Sequence, residues 1–117
     1  MSTQDDTTTL LSLRQAVKGF NEERDWAQFH SPKDLAMALS VEANELLELF
    51  LWQESGAPYE RERVREELAD VAITLLNFAN QTGIDISKAV RDKMVLNAER
   101  YPVALSRGKA LKYDKLT

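Results

Sequence analysis

The chain has 117 residues, of which 44% are hydrophobic and 29% charged, with no cysteine and a net charge of −4. This length allows one domain, since domains usually run to about 100–200 residues. The lack of cysteine excludes a disulfide framework, a thiolate metal site and a cysteine nucleophile. The acidic balance argues against a nucleic-acid partner, and no apolar run approaches the roughly 18 residues that a membrane span needs.

The start of the chain is polar and lacks the basic-then-apolar order of a signal peptide. We therefore expect a cytoplasmic protein with a flexible N-terminus over residues 1–9. A helical domain is predicted over residues 10–102, followed by a C-terminal tail over residues 103–117 whose shape the sequence leaves open.

Glycine and proline are scarce and cluster in short segments that separate four predicted helices. These helices are predicted over residues 10–29, from the Ser31-Pro32 break to residue 54, over residues 58–81 and over residues 86–100. Gly83 is the expected C-cap of the third helix and Asp85 the expected N-cap of the fourth. Because no segment alternates as a strand does, the fold class is predicted as all-α, and the short connections favour an antiparallel four-helix bundle.

Carboxylates interrupt the apolar faces of the two middle helices. At about 100° per residue, Glu42 lies in the middle of the apolar arc of the second helix and Glu45 flanks it. Glu67 and Asp70 repeat this arrangement on the third helix. An isolated buried carboxylate costs several kcal/mol unless it is paired, protonated or bound to metal. The segment between the two pairs is long enough for the third helix to return antiparallel, which would bring the pairs face to face.

Such a set of oxygen ligands favours Mg²⁺ or Mn²⁺ over Zn²⁺. The alternative is a solvated helix face, which is the usual role of a lone Glu-x-x-Glu pair. A ferritin-like di-iron centre would need Glu-x-x-His motifs, and the only histidine, His30, lies outside both pairs.

The pattern Glu42-x-x-Glu45 followed by Glu67-Leu68-Ala69-Asp70 resembles the signature of the MazG-type all-α nucleoside triphosphate pyrophosphatases. Further segments resemble the dCTP pyrophosphatase branch of that family. These segments are FNEERDWAQFH at residues 20–30, ELLELFLW at 45–52, KMVLN at 93–97, RYP at 100–102 and KY at 112–113.

The resemblance implies a Mg²⁺-dependent enzyme, with Mn²⁺ as a possible substitute, that cleaves a nucleoside triphosphate between the α and β phosphates. The products would be a nucleoside monophosphate and pyrophosphate, with dCTP or related deoxynucleotides as substrates and pool sanitation as the role. It also implies a homo-oligomer, either a dimer or a dimer-of-dimers tetramer, with sites formed between subunits. The tail would then contribute to the site or to the interface. On this hypothesis Glu42, Glu45, Glu67 and Asp70 are both the metal ligands and the catalytic residues.

Donors for the phosphates are expected near the end of the fourth helix and in the tail. The predicted phosphate-binding residues are Lys93, Asn97, Arg100, Tyr101, Lys112 and Tyr113. Lys93 and Asn97 are four residues apart and share a helix face, and such side chains suit phosphate oxygens. The alternative is a solvated basic helix end that complements the helix dipole.

Aromatic residues supply candidates for the base. Trp26 and Trp52 are predicted to stack on it, although tryptophan is as often a core or interface residue. His30 is interpreted as a capping or packing residue. Val17 and Thr74 stand where vertebrate relatives of the branch have His and Tyr, and they are candidates for lining the base pocket. These two departures put the preference for dCTP in doubt.

Two other readings stay open at this stage. The chain could be a non-catalytic oligomeric helical module, or a related hydrolase that acts on dUTP or phosphoribosyl-ATP. The sequence does not decide the preferred base, the number of metal ions, which carboxylate activates water, or dimer against tetramer.

Overall fold

The computed structural model describes residues 3–117, and every regular element in that range is helical. The helices are α1 (Leu10–Glu23), α2 (Pro32–Glu48), α3 (Arg61–Thr82), α4 (Ile86–Arg100) and α5 (Val103–Ser106), with 3₁₀ turns at Ala27–Phe29 and Tyr113–Lys115. The predicted all-α class is therefore confirmed. Met1 and Ser2, part of the segment predicted to be flexible, lie outside the described residues. None of the helices described is both long and apolar enough to cross a membrane.

The chain divides into two units, the first ending at Gly83 and the second running from Ile84 to Thr117. In the first unit α3 packs against both α2 and α1. The predicted bundle is thus seen for three of its four helices, since α4 belongs to the second unit. All of α4 is described, and none of its residues is buried. The assignment of residues 10–102 to one domain stays a prediction.

Side-chain and glycine caps define the helix ends, and those predicted at Asp85 and Gly83 are confirmed. Ser31 Oγ accepts a hydrogen bond of 3.1 Å from the Asp34 N–H at the start of α2. Asp85 accepts one of 2.8 Å from the Lys88 N–H at the start of α4. Gly83 ends α3 with a φ of 70°, a left-handed conformation that costs glycine little because it has no Cβ.

Helix α1 ends at Glu23, earlier than the predicted residue 29. Asp25 adopts a φ of 52°, which a helix cannot continue through. The Trp26 N–H donates to Asn21 O at 3.0 Å and the Asp25 N–H to Glu22 O at 3.1 Å, the two bonds of a Schellman C-cap. The chain therefore reverses direction at Asp25 and turns Trp26 back toward the end of α1.

The loop between α2 and α3 is longer than predicted, because α2 ends at Glu48 and α3 begins at Arg61. After Glu48 the backbone tightens into three-residue turns, as in the 2.9 Å bond from the Phe50 N–H to Leu47 O. The Phe50 ring then meets the Tyr59 ring edge-on, with 5.5 Å between the centroids. This ring contact joins the two ends of the loop.

Hydrogen bonds connect α1 to α3. Arg14 donates from Nε to Asn80 Oδ1 at 3.1 Å and from Nη2 to Ala79 O at 3.0 Å. The Asn80 amide donates back to Arg14 O at 3.0 Å. Among the residues described, the only buried apolar side chains are Leu35, Leu76 and Ala79, so these polar bonds supplement a small core.

Candidate active site

Three carboxylates meet where α2 packs against α3. Glu42 comes from α2, and Glu67 and Asp70 lie one turn apart on α3. One carboxylate oxygen from each of the three lies within 4.8 Å of the others. The two helices thus bring together residues of both predicted acidic pairs. A metal ion needs this kind of convergence of oxygen atoms.

No ion pair among the described residues balances the negative charge of this cluster. One oxygen, Oε2, of Glu42 and of Glu67 is shielded from solvent, and neither has a hydrogen-bond partner among residues 3–117. The ion pairs found in the same range include none of Glu42, Glu67 and Asp70. Shielded anionic oxygens without a partner are unfavourable. A hard divalent cation fits this all-oxygen set of donors.

Burial and mutual repulsion make two of the carboxyls harder to ionise. Burial raises the pKa of Glu42 above its ordinary value of 4.5, and Glu45 raises it further by hydrogen bonding and charge repulsion. Repulsion from Asp70 and Glu67 adds to the shift. Burial also raises the pKa of Glu67, helped by Glu45 and Asp70 and opposed by Arg63.

Glu45 lies beside the cluster. It is half-buried on α2 and close enough to raise the pKa values of both Glu42 and Glu67. Its oxygens are not part of the set that lies within 4.8 Å of one another. Of the four predicted ligands, the structure therefore places three in a compact group and the fourth next to it.

A cavity of about 810 Å³ adjoins the cluster and lies between α1, α2 and α3. Glu42 belongs both to the wall of this cavity and to the carboxylate group. Most of the lining is apolar, and the polar part includes His30, Asp34, Asn21 and Asn77. This volume falls within the roughly 300–1,000 Å³ typical of small-molecule sites.

Aromatic rings from the C-terminal part of α1 and the turn after it line the cavity. Trp26 lines it, with its ring edge-on to Phe20 at 5.8 Å between centroids, and the Arg24 guanidinium lies 3.6 Å from the Phe20 ring centre. Phe29 also lines the cavity. Trp52, by contrast, is 93% exposed in the loop between α2 and α3, outside the residues that form this wall. Its predicted stacking role stays a prediction.

Val17 and Thr74 both line the cavity, as the sequence comparison suggested for the base pocket. The Thr74 hydroxyl donates to the Asp70 backbone oxygen at 3.0 Å, so it lies one turn from the carboxylate group. Both side chains are smaller than the His and Tyr expected at these positions, which leaves more room in the cavity.

Two asparagines that were not predicted as site residues line the cavity, and so does His30, which was interpreted as a capping or packing residue. Asn21 and Asn77 are buried and line the cavity. The Asn77 amide nitrogen lies 3.0 Å from His30 Nδ1. One signal was present in the sequence, because Glu67, Asp70 and Asn77 follow one face of α3 at intervals of three and seven residues.

The predicted phosphate donors all lie in the second unit. These residues are Lys93, Asn97, Arg100, Tyr101, Lys112 and Tyr113. The Arg100 guanidinium lies 4.9 Å from the centre of the Tyr113 ring, and the Tyr101 ring meets that of Tyr113 edge-on at 6.2 Å. Lys93 is exposed and Asn97 is half-buried. Three of the six therefore form one group, and their binding of phosphate stays a prediction.

A family model and individual relatives agree on the family to which the chain is similar. The model of the MazG-like family matches residues 37–116. A protein called dCTP pyrophosphatase 1 from Rattus norvegicus is 44% identical over 115 residues, which span 92% of this chain and 68% of that protein. The Homo sapiens protein of the same name is 42% identical with the same coverage.

A solved structure has the same fold. The crystal structure of a pyrophosphatase from Archaeoglobus fulgidus superposes with a TM-score of 0.77 and 33% sequence identity, covering 86% of this chain and 99% of that one. The region matched by the family model includes Glu42, Glu45, Glu67 and Asp70. The chain belongs to the MazG-like family.

Proposed function

We propose that the chain is a Mg²⁺-dependent nucleoside triphosphate diphosphatase. It cleaves deoxynucleoside triphosphates, with dCTP among them, to the monophosphate and pyrophosphate, and so removes unwanted nucleotides from the pool. The observation that carries this proposal is that Glu42 belongs to both the carboxylate group and the wall of the cavity. The names of the relatives, dCTP pyrophosphatase and pyrophosphatase, support the same reaction.

Charge explains why a cation belongs in this site. The chain carries a net charge of −4, and a triphosphate adds about four negative charges at neutral pH. Glu42, Glu67 and Asp70, with Glu45 beside them, would repel such a substrate. Mg²⁺ held by these carboxylates would supply the positive charge that draws the phosphate oxygens in and polarises the phosphorus.

Glu45 is the best placed residue to handle the attacking water. A general base needs to be within hydrogen-bond reach of the water and outside the group that neutralises the phosphates. Glu45 meets the second condition, because its oxygens lie next to the set formed by Glu42, Glu67 and Asp70 and outside it. We assign to it the orientation and deprotonation of the water.

The cavity would hold the nucleoside. With the phosphates at the carboxylates beside Glu42, the base would extend into the cavity, whose wall includes Trp26 and Phe20. Stacking of a base on an aromatic ring is worth about 1–3 kcal/mol and accepts any base. Trp26 therefore contributes affinity, and selection among bases needs polar groups.

Self-association is part of the proposal. Two large apolar side chains seven residues apart share an exposed face of α3, Leu68 at 55% and Leu75 at 44%. Contiguous exposed apolar surface is typical of interfaces, and homo-oligomers are mostly symmetric dimers or dimers of dimers. We therefore expect a dimer or tetramer.

The test is a panel of all ribo- and deoxynucleoside triphosphates, assayed for pyrophosphate with Mg²⁺, with Mn²⁺ and with EDTA. The expected result is release of monophosphate and pyrophosphate from dCTP or a related deoxynucleotide, lost in EDTA. Release from dUTP alone would indicate a different substrate class. Release of inorganic phosphate, or no product from any nucleotide, would contradict the proposal, and the second result would favour a binding module.

A further inference from the structure

Two buried amides line the apolar cavity. Asn77 on α3 is 7% exposed and Asn21 on α1 is 8% exposed, and both belong to the cavity wall. A buried amide without hydrogen bonds is unfavourable by about 1–3 kcal/mol. Nearly all such groups in proteins therefore have a partner. The side chain of Asn21 makes no hydrogen bond within residues 3–117, and that of Asn77 makes one, to His30.

The hydrogen bond with His30 fixes what Asn77 offers to a ligand. The Asn77 amide nitrogen lies 3.0 Å from Nδ1 of His30. An amide nitrogen only donates, so His30 Nδ1 is the acceptor in this contact. The carbonyl oxygen of Asn77 is left without a partner in the part of the chain that the structure describes. Asn77 therefore presents an acceptor to the cavity.

A second acceptor lies in the same wall. Asp34 lines the cavity, and its carboxylate takes part in none of the hydrogen bonds or ion pairs found among the described residues. Asp34 and Asn77 Oδ1 therefore give the cavity wall two acceptors without a hydrogen-bond partner among the described residues. Cytosine and adenine carry an exocyclic amino group that donates, whereas thymine and uracil carry a carbonyl oxygen there. Acceptors attract the first pair and repel the second.

We propose that Asn77, oriented by His30, selects the base by accepting a hydrogen bond from its exocyclic amino group. The site then takes cytosine and adenine nucleotides in preference to uracil and thymine nucleotides. This inference rests on the proposed function for the placement of the base in the cavity. Asn77 touches the base in this arrangement, and His30 is a positioning residue.

The first experiment compares kcat/KM for dCTP, dATP, dUTP and dTTP. For the unchanged chain we expect a preference of about tenfold to a hundredfold for the amino-bearing bases, because a mismatched base leaves buried polar groups unpaired. Asn77→Ala should reduce this preference to within about threefold. Asn77→Asp retains an acceptor and should retain most of the preference.

The matched control is Asn80→Ala. Asn80 lies one turn further along α3, bonds to Arg14, and is outside the cavity wall. This variant should be less stable and keep the base preference. A preference that survives Asn77→Ala, or a native enzyme that favours dUTP over dCTP, would overturn the inference. Circular dichroism establishes that each variant is folded.

The role of His30 has its own readout. His30→Ala leaves the acceptor of Asn77 in place and removes the partner that orients it. KM for dCTP should rise severalfold with kcat little changed, and KM for dUTP should not move. Equal changes for both nucleotides would assign His30 to the general stability of the cavity and contradict its positioning role.

A binding experiment separates this inference from the proposed function. The monophosphates dCMP and dUMP are titrated into the protein and heat of binding is recorded, with no turnover required. Tighter binding of dCMP that is lost in Asn77→Ala supports base selection even if no triphosphate is cleaved. Equal binding of dCMP and dUMP refutes base selection even if dCTP is hydrolysed.

Discussion

Glu42 on α2 and Glu67 on α3 each hold one carboxylate oxygen away from solvent and without a hydrogen-bond partner in residues 3–117. With Asp70 they supply oxygens that lie within 4.8 Å of one another. This arrangement places negative charge at the contact between two helices, where apolar packing would stabilise the fold more. It is understandable as a site that a divalent cation completes.

The carboxylate group should be essential for turnover. Replacing Glu42 with Gln keeps the shape of the side chain and removes its charge, so we expect kcat/KM to fall by at least about a hundredfold. Asp70→Ala should have a similar effect. Glu66→Gln is the matched control, since Glu66 is an exposed neighbour of Glu67. Near-normal rates in Glu42→Gln or Asp70→Ala would remove the group from the mechanism.

Magnesium should stabilise the fold through the same residues. A ligand that binds only the folded chain adds about 2.7 kcal/mol to the free energy of unfolding at one hundred times its Kd. Thermal unfolding followed by circular dichroism should therefore shift upward with Mg²⁺ in the native chain. In Glu42→Gln the shift should be small. Equal shifts in both proteins would place the bound ion elsewhere.

The raised pKa values of Glu42 and Glu67 predict how stability depends on pH without metal. Between the ordinary value of 4.5 and the raised value, the folded chain binds protons more tightly than the unfolded chain. The protonated carboxyls therefore favour the folded chain at acid pH, and this contribution to the free energy of unfolding is lost as the pH rises through that window. Urea unfolding in EDTA should show that Glu42→Gln stabilises the chain more at about pH 8 than at about pH 5.

Titrating groups far from Glu42 cancel in this comparison, because the two proteins differ at one side chain. Glu45, Glu67 and Asp70 repel Glu42, so their relief in Glu42→Gln adds to the effect in the same direction. With added Mg²⁺ at the higher pH, the native chain should become more stable than Glu42→Gln, since the native chain binds the ion and the variant binds it weakly. A stability difference in EDTA that is the same at both values of pH would show that Glu42 has an ordinary environment.

Trp26 should bind the base directly. Trp26→Ala removes a stacking contact worth about 1–3 kcal/mol, so KM for dCTP should rise about tenfold to a hundredfold with a smaller change in kcat. Quenching of tryptophan fluorescence by nucleotide should also decrease. An unchanged KM would show that the base occupies another part of the surface.

Trp52 provides the contrast, because it is 93% exposed and outside the cavity wall. If a second subunit brings Trp52 to the base, Trp52→Ala raises KM only at protein concentrations where the oligomer forms. Sedimentation velocity over the same range measures that association. An effect of Trp52→Ala that is independent of protein concentration would argue against a site shared between subunits.

Features that depend on local sequence were predicted well. Asp85 and Gly83 begin and end helices as expected, because an N-cap side chain and a left-handed glycine act within a few residues. The early end of α1 was not predicted. Asp25 takes a left-handed conformation there, and the sequence alone gives no reason to place it at Asp25 rather than a few residues later.

The candidate site also has features that the sequence predicted and features that it did not. The interruption of two apolar arcs by Glu42 and Glu67 was visible in the sequence, because helical periodicity fixes which residues share a face. The pairing of Asn77 with His30 was not visible. It joins α3 to the turn before α2, and no periodicity relates positions 47 residues apart.

The sequence by itself determined the helical class, the caps at Gly83 and Asp85 and the interruption of two apolar helix faces by carboxylates, since these follow from spacing along single helices. Only the tertiary structure decided that three carboxylates converge while Glu45 stands beside them. It also decided that Trp26, and not Trp52, lines the cavity within this chain, and that two asparagines line it as well. The physical reason is that convergence depends on how helices pack, and packing is set by contacts between residues far apart in the chain.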